Sequence, residues 1–188
     1  MRKSILILVL AATICLLGVM PAAAKDLTNR ISAGYNKQLN YGLIGGPNTG
    51  IANTILDVDG LSVKYWATEN IGVEIILGYF TAKFDEVGGW ALDIGGKFHY
   101  NLIKEDNMNL YAGAGLGIMP AHFDYGNSEE SETGFQALGF GGVEFFFQGL
   151  PNLAFDMEIG IRYIDFDEYA ELSTFGGAFS TFGIRYYF

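Results

Sequence analysis

Apolar and polar side chains alternate along most of the chain with the two-residue period of a β-strand. The alternation is strict in 152–166, NLAFDMEIGIRYIDF, and it returns in the last ten residues, FSTFGIRYYF. Segment 134–147 instead changes phase around its glycines, which suggests a β-bulge. Together with five further segments, the pattern predicts eight strands, at 30–39, 61–67, 71–80, 90–102, 108–118, 134–147, 152–166 and 179–188.

The connections between these strands alternate in length and character. Three are short, TEN, KEDN and QGLPN, whereas the first, third, fifth and seventh are longer or richer in acidic residues, at 43–59, 83–89, 123–133 and 165–173. A meander with tight turns at one end and loops at the other has this spacing. The sequence therefore predicts an all-β protein, an eight-stranded antiparallel up-and-down barrel with both chain ends on the short-turn side.

Two barrels of opposite orientation are compatible with the alternation. A soluble lipocalin-like barrel hides its apolar face, whereas a membrane barrel turns that face toward lipid. Frequent glycines on the polar face and aromatic residues at the strand ends favour a narrow lumen and an interfacial girdle. The polar face also carries five cations and five acids that could pair across a lumen: Arg30, Lys64, Lys97, Arg162 and Arg185 against Glu74, Asp93, Glu144, Asp156 and Glu158. We therefore expect a transmembrane β-barrel with a charged lumen, and the soluble barrel is the alternative.

The N-terminal segment and the charge bear on location and partners. Two basic residues precede an uncharged apolar run, 5–19, and an A-x-A pattern ends at Ala24, as in a secretory signal peptide. The run is shorter than the roughly 20 residues of a spanning helix. We expect cleavage of residues 1–24, with residues 25–188 forming a barrel in a bacterial outer membrane. Cleavage removes two of the eleven basic residues and none of the twenty-one acids, so the formal charge falls from −10 to −12, which argues against nucleic acid.

Four segments also resemble a known family: YAGAGLGI at 111–118, GFGGVEFFF at 139–147, NLAFDMEIGIRY at 152–163 and FGIRYYF at 182–188. They are similar to the small eight-stranded outer-membrane barrels of Gram-negative bacteria, of the OmpA transmembrane-domain and OmpX type. The resemblance implies that the barrel-assembly machinery recognises the alternating residues of the last strand, Phe182, Ile184, Tyr186 and Phe188. Because nothing follows Phe188, we expect a stand-alone barrel without the peptidoglycan-binding domain of OmpA-like proteins.

His99 and His122 are the only imidazole bases. His122 lies near Asp124 and Ser128, a set that could supply a nucleophile, a base and an orienting acid. Its spacing matches no lipid A deacylase or palmitoyltransferase signature. His99 lies on the polar face without a second histidine or a cysteine nearby, so we expect a hydrogen-bonding lumen residue rather than a metal ligand. We predict no catalytic residue, no metal site and no cofactor.

The predicted function is that of a monomeric structural or surface-interaction protein with a charge-plugged lumen, because eight strands leave room for little more than side chains. Its expected partners are outer-membrane lipid, lipopolysaccharide and the barrel-assembly machinery. A narrow porin-like channel for ions or small solutes is the alternative, and a lipid A modifying enzyme is a third hypothesis. The many acids of the loops either keep them solvated or bind divalent cations weakly.

Overall fold

The computed structural model of the chain describes residues 26–42, 55–84, 87–124, 128–166, 169–175 and 182–188. The expected signal peptide, residues 1–24, lies outside this part of the chain. The described residues form strands joined by turns, and none of them belongs to a helix long and apolar enough to cross a membrane.

Nine strands make up the described structure. They are β1 (Ile31–Gly42), β2 (Ile55–Trp66), β3 (Ile71–Phe84), β4 (Val87–Glu105), β5 (Met108–Asp124), β6 (Glu129–Phe147), β7 (Leu150–Phe166), β8 (Tyr169–Phe175) and β9 (Phe182–Tyr187). Each strand from β1 to β7 pairs antiparallel with the next along the chain. β8 and β9 then follow one another along the same edge of β7: β8 pairs with the later residues of β7 and β9 with the earlier ones.

The sheet closes because β9 also pairs with β1, with Ser32 opposite Tyr187. Since β8 and β9 occupy one position beside β7, the ring has eight strand positions, and the predicted eight-stranded antiparallel barrel is confirmed. Short connections at 67–70, 106–107 and 148–149 lie at one end, which we call the turn end; the opposite end is the loop end. Gly149, in the turn 148–149 between β6 and β7, has φ 88°, a conformation that favours glycine.

The strands run further toward the loop end than the alternation predicts. Most of the expected loop 83–89 is strand, since β3 ends at Phe84 and β4 begins at Val87, and the same holds for 123–133. Backbone pairing does not depend on alternating apolar side chains, so it continues beyond the residues that alternate regularly. The bulge expected in 134–147 is absent from its described pairing with β5, which keeps one register; the irregularities fall at Asn36/Leu39, Asn101/Ile103 and Phe146/Phe147.

The two faces of the barrel differ sharply in exposure and charge. Outward residues include Leu61, Ile159 and Leu116, which are 69%, 65% and 61% exposed, whereas inward Arg185 and Glu144 are 1% and 0% exposed. An apolar exterior around a charged interior is the arrangement of a membrane barrel and the reverse of a soluble one. The soluble alternative is therefore excluded, and we call the exposed apolar surface the lipid belt.

The interior is stacked in three layers. A floor at the turn end consists of Leu27, Trp66, Phe146, Ala154 and Tyr187. A cap nearer the loop end contains Ile76, Ala91, Met119, Ala121, Leu138, Phe140 and Ile164, with Phe80, Phe123 and Phe175 packed against it. Charged side chains lie between them, as β7 illustrates by carrying Ala154, then Asp156 and Glu158, then Ile164 along its inner face.

Candidate functional site

The middle layer contains the chemistry of the barrel. We call it the ionic layer; its members are Lys64, Glu74, Lys97, His99, Glu144, Asp156, Glu158 and Arg185, all of them buried. They come from β2, β3, β4, β6, β7 and β9, so only closure of the barrel brings them together. Period-two alternation explains why each points inward, since each lies an even number of positions from the other buried residues of its strand.

Arg185 is the centre of the ionic layer. Its Nη2 lies 2.6 Å from Oε1 of Glu74, and its Nε lies 2.8 Å from Oδ2 of Asp156 and 3.5 Å from Oε1 of Glu144. Its Nη1 donates to the hydroxyl of Ser32 at 3.3 Å. A planar guanidinium can serve several acceptors at once, so one side chain of β9 joins β1, β3, β6 and β7.

Two lysines complete the ion pairs. Nζ of Lys97 lies 2.7 Å from Oε2 of Glu158, whose Oε1 accepts the hydroxyl of Tyr111 at 3.1 Å. Nζ of Lys64 lies 3.4 Å from Oε1 of Glu144. These pairs span strands that are not neighbours in the sheet, so they cross the lumen instead of running along its wall.

The floor is hydrogen-bonded to the ionic layer. The indole Nε1 of Trp66 donates to the hydroxyl of Tyr187 at 2.9 Å, and that hydroxyl donates to Oε1 of Glu144 at 2.7 Å. A buried aromatic hydroxyl or indole N–H is costly unless it has a partner. The floor therefore closes the turn end without leaving these polar atoms unpaired.

Glycines make room for the inward aromatic rings. Gly142 lies opposite Tyr111 in the β5–β6 pairing, and a Cβ there would lie 2.6 Å from the tyrosine ring. Gly72 likewise faces Trp66, whose ring would lie 2.8 Å from an added Cβ. Each ring thus covers the backbone of the neighbouring strand, which fills a narrow lumen with flat groups.

His99 lies in the ionic layer between a ring of the cap and a ring of the floor. Its Nε2 is 3.0 Å from Oε2 of Glu74, so it hydrogen-bonds in the lumen as the sequence predicts. Its ring packs edge-on against Tyr111 and Phe140, with centroids 5.2 Å and 5.3 Å away, and the centroid of Trp66 lies 6.2 Å away. The alternation does not predict this aromatic enclosure.

The structure distributes the ten predicted lumen charges over three places. Seven belong to the ionic layer: Lys64, Glu74, Lys97, Glu144, Asp156, Glu158 and Arg185. Asp93 is also buried, but it lies further toward the loop end, opposite Gly78. Half-buried Arg162 donates to Ser173 at 3.1 Å near the loop end.

Arg30 lies at the turn end rather than in the ionic layer. Its guanidinium binds the carbonyl oxygens of Tyr187 and Phe188 at 3.1 and 3.2 Å and the side chain of Asn152 at 2.9 Å. It therefore fastens the end of β9. The predicted assembly residues Phe182, Ile184, Tyr186 and Phe188 all point outward, between 40% and 69% exposed.

Three hydroxyl groups that hydrogen-bond to the ionic layer were not among the predicted site residues. Tyr111, Tyr187 and Ser32 each hydrogen-bond to a charged member. The alternation does place both tyrosines on the polar face of their strands, and that position was the available signal. A tyrosine on an otherwise polar and glycine-rich face indicates a buried hydroxyl with an acceptor nearby.

His122 lies outside the ionic layer, on the half-buried surface near the loop end. Strand pairing sets His122 opposite Ser131, with Nδ1 to Oγ at 2.9 Å, and stacks its ring on Trp90. Asp124 lies opposite Glu129, and Ser128 precedes β6. The hydroxyl that His122 contacts is therefore that of Ser131, not that of Ser128.

Comparisons with known proteins agree with this architecture. No protein-family model matches the chain, and no curated protein matches it. Among solved structures, it is similar to the N-terminal β-barrel domain of Pseudomonas aeruginosa OprF, with 15% identity over 86% of this chain and 98% of that one and a TM-score of 0.53. Neisserial surface protein A (NspA) gives 17% identity, 89% and 100% coverage and a TM-score of 0.50. Outer membrane protein H (OprH) of P. aeruginosa gives 15% identity over 86% of this chain and 99% of that one, with a TM-score of 0.50.

At 15–17% identity, the similarity to these solved structures establishes the fold of the chain. The lipid belt supplies the second observation, because an apolar surface around a closed barrel is suited to hydrocarbon. The chain has the fold of the eight-stranded outer-membrane β-barrels, with an exterior suited to lipid.

Proposed function

We propose that this outer-membrane barrel is a monomeric, non-enzymatic structural or surface-interaction protein whose lumen is closed. The observation that carries the proposal is the position of the ionic layer between an apolar floor and a cap of mainly apolar side chains, with buried Asp93 and Gln136 beside Ala91 and Leu138. A conducting lumen needs a continuous hydrated path, and apolar constrictions interrupt such a path by excluding water. Two apolar layers in series therefore support closure more strongly than the ion pairs do alone.

The ion pairs add to this closure by holding the strands across the lumen. Arg185 joins carboxylates from three other strands at 2.6 to 3.5 Å. Displacing it would leave those acids without their shared cation in a poorly solvated interior, which is strongly unfavourable. We infer that the ionic layer is a fixed plug and not a loosely held lining.

The proposed orientation follows from the unequal connections. Outer-membrane barrels have short turns on the periplasmic side and longer loops outside. The turn end would then face the periplasm, and the protruding β5–β6 hairpin would present Asp124, Glu129 and Glu130 outside the cell. Partners of a surface role would include lipopolysaccharide, and the outward residues of β9 would serve the barrel-assembly machinery.

Planar-bilayer recording of the purified protein tests the closed lumen. We expect wild type to give no discrete openings. As a positive control, Phe140→Ala combined with Trp66→Ala removes a large ring from the cap and one from the floor, and should introduce openings. Discrete openings of wild type that change when Arg185 is replaced by methionine would overturn the proposal in favour of a narrow channel.

The absence of catalysis is a separate part of the proposal. His122 is paired with Trp90 on one side and Ser131 on the other, so its backbone N–H is used in the sheet, whereas acyl transfer needs free donors for an oxyanion. We expect lipid A from cells expressing the protein to match lipid A from cells with an empty vector. A lost or added acyl chain or phosphate that disappears with His122→Ala would contradict this.

A further inference from the structure

The inside of the barrel holds more negative than positive charge. Among the described residues, five acidic side chains are buried and only three cationic ones: Glu74, Asp93, Glu144, Asp156 and Glu158 against Lys64, Lys97 and Arg185. Asp93 lies outside the ionic layer, so with a neutral His99 the four acids and three cations of that layer leave a formal excess of one negative charge. Charge buried away from water is strongly unfavourable unless a counter-charge accompanies it. A bound cation would supply that counter-charge.

Three of these side chains converge in a way that suits a metal ion. Glu74 on β3, His99 on β4 and Glu158 on β7 each offer one ligand atom, and these atoms all lie within 4.8 Å of one another. All three side chains are at most 2% exposed. The two acids are not close to each other in sequence, so the set exists only in the closed barrel.

We propose that Glu74, His99 and Glu158 bind one divalent first-row transition-metal ion of the Zn²⁺ class. Bonds of about 2.1 Å in tetrahedral geometry separate ligand atoms by roughly 3.4 Å. Nε2 of His99 and Oε2 of Glu74 are already 3.0 Å apart, and the other ligand atoms, at most 4.8 Å apart, would need to approach by up to about 1.4 Å. A fourth position would remain for water or for a second carboxylate oxygen.

The carboxylates already have the outer partners that metal ligands use. Oε1 of Glu74 accepts from Arg185 at 2.6 Å, which leaves Oε2 directed at His99. Oε2 of Glu158 accepts from Lys97 at 2.7 Å, and Oε1 accepts the hydroxyl of Tyr111 at 3.1 Å. Such second partners fix the orientation of ligating carboxylates.

His99 can bind an ion through Nε2 without losing a proton. Its Nε2 lies 3.0 Å from Oε2 of Glu74, and among the described residues its Nδ1 has no hydrogen-bond partner. A neutral imidazole carries one proton, on either ring nitrogen. With an ion on Nε2, that proton sits on Nδ1.

The donor set also selects the class of ion. Ca²⁺ takes six to eight oxygens, and Mg²⁺ keeps several waters, so neither suits a buried site with an imidazole. One imidazole and two carboxylates suit zinc and its transition-metal neighbours. Because floor and cap close both ends, the ion must enter while the barrel forms, as metals do when binding is coupled to folding.

The test refolds an untagged chain into detergent with and without ZnCl₂, removes loose metal by gel filtration, and measures zinc per folded chain by mass spectrometry. Wild type should retain about one zinc per chain, a stoichiometry set by the single cluster. His99→Gln and Glu158→Gln should lower retention at least tenfold. The matched control is Glu144→Gln, which removes the same charge from the ionic layer outside the cluster and should keep the metal.

Three results would overturn the site. Wild type refolded with zinc could hold none above buffer, His99→Gln could hold as much as wild type, or Glu144→Gln could lose as much as Glu158→Gln. Metal bound only by the acidic loops would appear as the second result. If His99→Gln does not fold, Co²⁺-loaded wild type decides: visible absorption bands of tetrahedral Co²⁺ that zinc displaces are expected, and their absence overturns the site. Bilayer conductance is measured separately, so a failed metal site leaves the closed lumen intact.

Discussion

Replacing Arg185 with methionine should reduce the free energy of unfolding by several kcal/mol. The guanidinium is buried and lies 2.6, 2.8 and 3.5 Å from carboxylate oxygens of Glu74, Asp156 and Glu144. Methionine fills part of the volume but leaves these acids without their shared cation. Removing one partner of a buried ion pair costs about 3–5 kcal/mol, chiefly because of the charge left behind. We expect a loss in that range.

The assay is equilibrium urea unfolding of barrels refolded into lipid vesicles, followed by the gel shift between folded and unfolded chains. Arg30→Met is the control, because that guanidinium is only partly buried and binds carbonyl and amide oxygens at the turn end. Its loss should be about 0.5–1.5 kcal/mol, the worth of ordinary hydrogen bonds. The double variant Arg185→Met/Asp156→Asn removes one of the abandoned charges and should regain part of the loss.

Two outcomes would refute the reasoning. Arg185→Met could cost no more than Arg30→Met, which would mean that the ionic layer is well solvated. Alternatively, the double variant could be less stable than Arg185→Met alone, and the loss would then come from packing instead of uncompensated charge.

Three further predictions test packing, orientation and assembly. Gly142→Ala should lower the free energy of unfolding by about 1–3 kcal/mol through overpacking, because its Cβ would lie 2.6 Å from the ring of Tyr111. Gly139→Ala, whose Cβ would have nothing within 4 Å, should change that free energy by no more than about 0.5 kcal/mol. Equal losses of the two variants in urea unfolding would contradict the packing. Leu116→Arg on the lipid belt should lower the free energy of unfolding in vesicles by about 2–4 kcal/mol, whereas Ser131→Arg near the loop end should lower it by about 0–1 kcal/mol. Similar losses for the two variants would argue against an apolar face turned toward lipid. Phe188→Ala should lower the amount of folded barrel in the outer membrane of cells without lowering refolding yield in detergent; a parallel loss in detergent would indicate lost stability.

Which side chains face the lumen could be predicted because strand geometry has a fixed period. In β7, the residues expected inside, Asp156 and Glu158, are buried, and those expected outside, Ile159 and Ile161, are exposed. This inference needs no knowledge of neighbouring strands, since successive side chains point to opposite faces. It fails only where an inward residue is itself apolar.

That failure occurred in β6. Leu138 and Phe140 point inward with Glu144, and their apolar character suggested a phase change that the pairing does not show. They belong to the cap, and an apolar cap inside a membrane barrel removes the contrast between faces on which the prediction relied. The predicted strand boundaries were wrong for a related reason, because backbone pairing continues beyond the residues whose side chains alternate regularly.

Partners across the lumen could not be predicted at all. Arg185 and Glu74 are 111 residues apart, and their contact depends on the register of every strand between them. The proposed metal site has the same origin: Glu74 lies on β3, which pairs with the strand of His99, but Glu158 of β7 reaches them only when the sheet closes. Its spacing in sequence therefore carries no ligand pattern.

The layered interior links the closed lumen to the proposed ion. Floor and cap exclude water from the ionic layer, and in such surroundings each unbalanced charge matters more than it would at a hydrated surface. A hydrated lumen could neutralise the extra negative charge of the ionic layer with mobile counter-ions, whereas a closed one needs a bound cation or a proton. If bilayer recordings show the lumen to be closed, the excess of acids becomes harder to explain without a ligand. If the lumen conducts, mobile cations can balance the acids, and the charge argument for a bound metal ion loses its force.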